Sequence, residues 1–154
     1  MAAFQQMEWT KNGRLFLFTG PFMPENAYDR LYRQSNDGIQ VTRFTSDFIS
    51  YLAAADLSVS MAGYNTCMNL LAAEVPALVW PFEQNREQRL RAERLSVSGL
   101  LRALEQADLN PARLAAIMDQ TLSKPPPSRM PIDLCGSTNT ARWIEDWVSK
   151  RLPA

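Results

Sequence analysis

Between Asp56 and Phe82 the chain reads DLSVSMAGYNTCMNLLAAEVPALVWPF, an apolar run broken by one small polar turn. Gly63 permits a sharp bend and a close backbone approach there, and Tyr64, Asn65 and Thr66 follow it. The helix that begins at this point offers unpaired N–H groups and the positive end of its dipole, and Thr66 adds a hydroxyl donor. Together these make an anion seat, suited to a phosphate or diphosphate. The same residues admit a plainer reading, in which Asn65 or Thr66 caps its own helix and nothing binds.

Three further stretches carry chemistry at comparable places. PFEQNREQRLRAERL, Pro81 to Leu95, opens with Glu83, Gln84 and Gln88. Gln84 and Gln88 lie four apart and share a face if both are helical, where two amides could hold sugar hydroxyls. The competing reading is a solvated helix whose Arg and Glu charges nearly cancel. Phe44-Thr45-Ser46-Asp47-Phe48 could hold a flat base by stacking and main-chain hydrogen bonds, or supply two core phenylalanines. Gly20-Pro21-Phe22-Met23-Pro24 could line the same crevice.

The elements that must position these residues alternate along the chain. Strands are expected at Arg14–Thr19, Ile39–Phe44, Leu57–Ser60, Ala77–Trp80 and Leu100–Ala103. Helices are expected at Pro24–Gln34, Asp47–Ala55 with Ser46 as its cap, Asn65–Glu74 ended by Pro76, and Glu83–Leu95. Asn110-Pro111 starts another, continued by Leu114, Ile117, Met118 and Leu122. Lys124–Pro131, KPPPSRMP, is a stiff linker. Thr138–Leu152 is a last amphipathic helix whose stripe of Trp143, Ile144, Trp147 and Val148 is expected in the core. The strands are continuous apolar runs, the mark of a parallel sheet covered on both faces. The fold class is therefore α/β, a doubly wound, Rossmann-like parallel sheet, in which ligands bind beyond the carboxyl ends of the strands. Residues 1–123 form the domain, 124–136 a Pro-rich linker, and 137–154 a terminal helix packed on the domain.

Composition narrows the classes. The 154 residues are 46% apolar, enough for one core without staples. Sixteen basic and sixteen acidic residues are mixed along the chain, which argues against a nucleic-acid partner. Histidine is absent, so this chain supplies no Ser-His-Asp triad, Cys-His pair or His-ligated metal. Cys67 and Cys135 lack metal-ligand spacing and read as buried, reduced thiols. No apolar run approaches the ~18 residues of a membrane span and no signal peptide is seen, so the expected location is cytoplasmic.

RFTSDFISYLAAADLSVSMAGYNT followed by PALVWPF and REQRLRAERL resembles the C-terminal, nucleotide-sugar-binding domain of GT-B glycosyltransferases. The closer likeness is to the family 28 branch that includes the lipid II-forming N-acetylglucosaminyltransferase and a group of bacterial predicted glycosyltransferases. The resemblance runs from about Gly13 to Val148. It implies a UDP-sugar, or a similar donor, lying across the sheet edge as substrate, with no cofactor. Gly63, Tyr64, Asn65 and Thr66 would hold the diphosphate, Phe44 and Thr45 would meet the base, and Phe48 would line the pocket. Asn69 would sit under the ribose, and Gln84 and Gln88 near the sugar. The family usually has Glu at the position of Asn69, and an amide accepts the ribose diol less strongly than a carboxylate. No Asp-x-Asp is present to hold a divalent ion, so no metal site is expected.

The resemblance also implies an acceptor-binding domain or subunit, membrane-bound in split enzymes of the family. It places the start of this chain after the domain's own first strand and glycine-rich loop, with Met1–Glu8 as the tail of the first helix. A strand-sharing homodimer is a further expectation. Two functions follow: the donor-binding portion of a glycosyltransferase, or a non-catalytic interaction module that keeps the fold. An α/β domain for a different phosphate ligand is a third.

Overall fold

A computed structural model describes residues 1–8, 12–82, 84–124 and 132–151. The expected strands form as short apolar runs: β1 (Leu15–Phe18), β2 (Ile39–Thr42), β3 (Ser58–Met61), β4 (Ala77–Trp80) and β5 (Arg102–Ala103). Between and after them come α1 (Glu25–Tyr32), α2 (Phe48–Ala53), α3 (Tyr64–Ala73), α4 (Arg86–Val97), α5 (Pro111–Leu122) and α6 (Gly136–Ser149). Every strand pairing is parallel. The alternation of strand and helix requires this, because each helix carries the chain back to the starting edge.

The strands register as two sheets, β1-β2 and β3-β4-β5. Leu15 opposes Ile39 and Phe18 opposes Thr42; Ser58 opposes Ala77 and Met61 opposes Trp80. Leu15 and Thr19 donate to carbonyls at the β2 ladder, 2.8 and 3.1 Å away, so the intervening Phe16 and Phe18 direct their main-chain groups to the other side. The same alternation turns Val59 and Met61 away from β4.

Helix α2 ties the two sheets together. Phe18 meets the rings of Phe48 and Tyr51 edge-on at 5.5 and 5.1 Å, and Phe48 also packs on the core beneath β3 and β4. That core joins Val79 and Ala77 to Leu52, Cys67, Leu70 and Ala92. On the opposite face Leu78 packs with Leu104 and Ile117. Leu78 and Val79 are both fully buried, so β4 is covered on both faces as a continuous apolar strand should be. At the amino end, Ala3 and Met7 flank a single 3-10 turn, Phe4–Gln6, and pack against Ala115 of α5.

Local signals fix most boundaries. Asn110 accepts from the N–H groups of Ala112 and Arg113, with Pro111 as the first helical residue. Glu74 closes α3 in the left-handed region (φ 54°), two residues before Pro76. Gly20 has φ +81°, which only glycine adopts without strain. Ser46 is not the cap of α2: Asp47 precedes the helix, its N–H held by Thr45 Oγ1 at 3.1 Å.

Two expectations are corrected. The terminal helix forms, but Trp143, Ile144 and Trp147 are 68, 49 and 48% exposed, and the helix buries no residue. Its stripe follows helical period, yet period says only that one face is apolar, not which surface covers it. Cys135, just ahead of that helix, is exposed with it, whereas Cys67 is buried. The expected linker lies largely outside the described residues.

Candidate functional site

The turn from β3 into α3 begins at Ala62, which is fully buried and donates to Trp80 O at 3.2 Å, closing the β3-β4 ladder. Gly63 is the N-cap, and the first intrahelical bond runs from Cys67 N–H to Gly63 O at 2.9 Å. Glycine has no side chain with which to cap, and among the described residues no bond from the helix end to Asn65 or Thr66 is present. Among the described residues the N–H groups of Tyr64, Asn65 and Thr66 therefore have no protein partner. The plain capping reading is not what this turn does. Three orphan donors and a helix dipole meet at the carboxyl end of a parallel strand.

Gly63 itself is extended (φ −62°, ψ 151°), a conformation open to any residue. A methyl group there would touch only Thr66 Oγ1, at an ordinary 3.5 Å. Glycine is therefore not required for the bend, and the space where a Cβ would stand is open but for Thr66 Oγ1.

The segment after β4 reaches the same turn. Asn85 Oδ1 accepts from Gln88 N–H at 3.1 Å and starts α4 at Arg86, so Gln84 lies before the helix. The shared helical face expected for Gln84 and Gln88 does not exist, because the stronger cap sits one residue beyond Gln84. Both amides gather at Phe82 instead. Gln88 Oε1 accepts from Phe82 N–H at 3.0 Å, and Gln84 lines a cavity of about 180 Å³ with Trp80, Phe82 and Gln106. Glu83 lies outside the described residues. Gln106 had no signal of its own; only the folding of the 3-10 turn Gln106–Leu109 brings it there.

Arg91 joins α4 to this turn. Its Nη1 donates to Ala62 O at 3.0 Å, and its guanidinium carbon stands 5.4 Å from the Tyr64 ring centroid. Below it, burial pushes the Cys67 thiol upward, and the Arg91 charge offsets part of that rise.

At the ends of β1 and β2, Phe44 is 69% exposed, free to stack, while Phe48 is committed to Phe18 and the core. Thr45 uses its hydroxyl on Asp47. Arg43 pins the Gly20–Pro24 loop beside them: it donates to Met23 O at 3.1 Å, pairs with Glu25 at 2.5 Å and lies 4.0 Å over Tyr28. One exposed aromatic follows each of the first four strands: Phe22, Phe44, Tyr64 and Phe82. Asn69, on α3, is half-buried. A larger cavity, about 510 Å³, lies on β1 and β2 with Tyr28, Tyr32 and Asn36 in its wall, and it includes none of the predicted site residues. Among the described residues no three His, Cys, Asp or Glu side chains gather to hold a metal, and no helix is long and apolar enough to cross a membrane.

Parallel strands, helices on both faces and an uncapped helix end at a strand terminus define a Rossmann-like domain. Solved structures that share this fold include two glycosyltransferases. The glycotransferase of kitacinnamycin superposes with a TM-score of 0.62 at 22% identity, covering 91% of this chain and 35% of that one. VinC, a glycosyltransferase solved in complex with DTDP, gives 0.58 at 20% identity over 77% of this chain and 36% of its own.

Residues 2–139 match the family described as the glycosyltransferase family 28 C-terminal domain, and the chain belongs to that family. Among curated relatives, the UDP-N-acetylglucosamine--N-acetylmuramyl-(pentapeptide) pyrophosphoryl-undecaprenol N-acetylglucosamine transferase of Photobacterium profundum is 36% identical over 97 residues. That covers 62% of this chain and 27% of the relative. The enzyme of the same name from Halorhodospira halophila is 33% identical over 105 residues, 67% of this chain and 29% of its own. The chain thus spans under a third of the length of these two curated relatives.

Proposed function

We propose that this domain binds the nucleotide-sugar donor of a glycosyltransferase, with the donor diphosphate on the amino end of α3. The observation that carries this reading is the set of unpartnered N–H groups of Tyr64, Asn65 and Thr66 behind a glycine N-cap. The names of the family relatives favour a UDP-sugar, and the DTDP in VinC supports a nucleoside diphosphate on this fold. In this reading Phe44 and Thr45 meet the base, Phe48 backs the pocket, and Asn69 lies under the ribose. Gln84 and Gln88 lie near the sugar, beside the Trp80–Phe82 cavity. The departing diphosphate is stabilised by main-chain dipoles and the Thr66 hydroxyl, without a metal ligand from this chain. The acceptor is presented by a separate domain or subunit.

Titration with UDP, UDP-N-acetylglucosamine, GDP, ADP and pyrophosphate, followed by ligand-observed NMR, tests this. Uridine-selective binding at roughly 0.1–1 mM, about −4 to −5.5 kcal/mol, weakened by Thr66→Ala, is expected. Binding of adenine nucleotides in place of uridine ones, or of nothing, would overturn it. Asn69 favours the second reading, a module that binds the donor without turning it over, because an amide holds a ribose diol less strongly than a carboxylate. Donor binding that never leads to sugar transfer once an acceptor-binding partner is supplied would establish that module.

A further inference from the structure

Helix α4 carries four arginines, Arg86, Arg89, Arg91 and Arg94, and three of them are exposed. Arg91 is half-buried and reaches the turn between β3 and α3, next to fully buried Ala92 on its own helix. Among the described residues no carboxylate lies within 4.0 Å of it. A neutral carbonyl offsets only part of the desolvation of a half-buried guanidinium, which leaves its charge able to attract an anion.

The two contacts of Arg91 bracket a single residue. Nη1 holds the carbonyl of Ala62, the residue before Gly63, and the guanidinium faces the ring of Tyr64, the residue after it. Gly63 has no side chain with which to set its own orientation, so the clamp on its neighbours fixes the direction of the first helical N–H groups. An anion on those groups would complete the charge balance of Arg91.

Resting on the reading of that helix end as a diphosphate seat, we infer that Arg91 is the positioning residue of the seat. It orients the Ala62–Tyr64 turn through the Ala62 carbonyl and makes the seat selective for a doubly charged diphosphate over an uncharged nucleoside. Lysine would keep the charge but lose the planar fork that spans carbonyl and ring. Methionine would keep much of the volume and lose both.

The test compares wild type, Arg91→Lys and Arg91→Met by titration with UDP and with uridine at two salt concentrations, alongside the Tm of each. About a tenfold loss of UDP affinity is expected in Arg91→Met, with uridine binding unchanged and a flatter salt dependence. Arg91→Lys should keep the salt dependence and lose about threefold in UDP affinity. A wild type that fails to bind UDP removes the seat itself. A wild type that binds, with variants of equal UDP affinity, overturns the role of Arg91 alone. So does a parallel loss of UDP and uridine binding that tracks a lowered Tm, the mark of a merely structural residue. If Arg91→Met does not fold, Arg91→Lys carries the same comparison.

Discussion

At Gly63, folding and binding can be separated by one methyl group. The backbone there is extended and has room for a Cβ, so Gly63→Ala should cost no more than about 1 kcal/mol, the usual difference between these two N-caps. The same methyl would lie 3.5 Å from Thr66 Oγ1, at the helix end that carries the proposed seat. UDP affinity should fall at least about fivefold at nearly unchanged Tm, read by titration and thermal melting; equal affinity would show that no ligand approaches this backbone closely. The cysteines provide a second contrast. Cys67 is fully buried and its thiol is pushed up by burial, whereas Cys135 is exposed. A disulfide-exchange reagent at pH 8 should titrate one thiol in the native protein and two in denaturant. Two fast thiols in the native state would contradict the packing of α3.

Among the elements, the 3-10 turn Gln106–Leu109 holds the sharpest electrostatic device. Asp108 is 4% exposed, accepts from Glu105 N–H at 2.9 Å and pairs with Arg113 at 2.6 Å. The Glu105 N–H, aided by Arg113 and Arg102, holds its carboxyl below the usual aspartate range, against the pull of burial. A depressed acid contributes stability above its unfolded pKa, about 3.9, and loses it as pH falls through the lower folded value. Tm should therefore drop between pH 5 and about pH 3 more steeply in wild type than in Asp108→Asn; identical slopes would show that Asp108 does not anchor this turn. Strand β4 gives a packing counterpart. Leu78→Ala empties a fully buried position between β4 and α5 and should cost about 2–5 kcal/mol by chemical denaturation. The caps of α5 and α4 were accessible to local reasoning in unequal degree. Asn110-Pro111 is unambiguous, but Asn85 competes with the residues around it, and only its bond to the Gln88 N–H decides where α4 begins.

For the whole molecule, the exposed stripe on α6 has a direct consequence. Every residue of α6 is exposed, so a chain ending at Lys124 should melt within about 2 °C of the full chain. A fall of ~5 °C or more would show that Trp143 and Trp147 are covered by the domain in solution. The division into two sheets has a different character. Helix α2 bridges them through Phe48 and Tyr51, while among the described residues β1 and β3 leave the main-chain groups of Phe16, Phe18, Val59 and Met61 outside any ladder. Element order, the parallel class and the α5 cap are legible in the sequence, because hydrophobic period, proline and caps act within about one helical turn. Whether Thr66 caps α3, whether the Trp stripe is covered and which of four arginines reaches the β3–α3 turn are not legible there. They follow from the folded chain, since Arg91 meets Ala62 across 29 positions and the first N–H groups of α3 lie behind a glycine cap. Such contacts depend on which surfaces meet, and neighbouring residues carry no record of that.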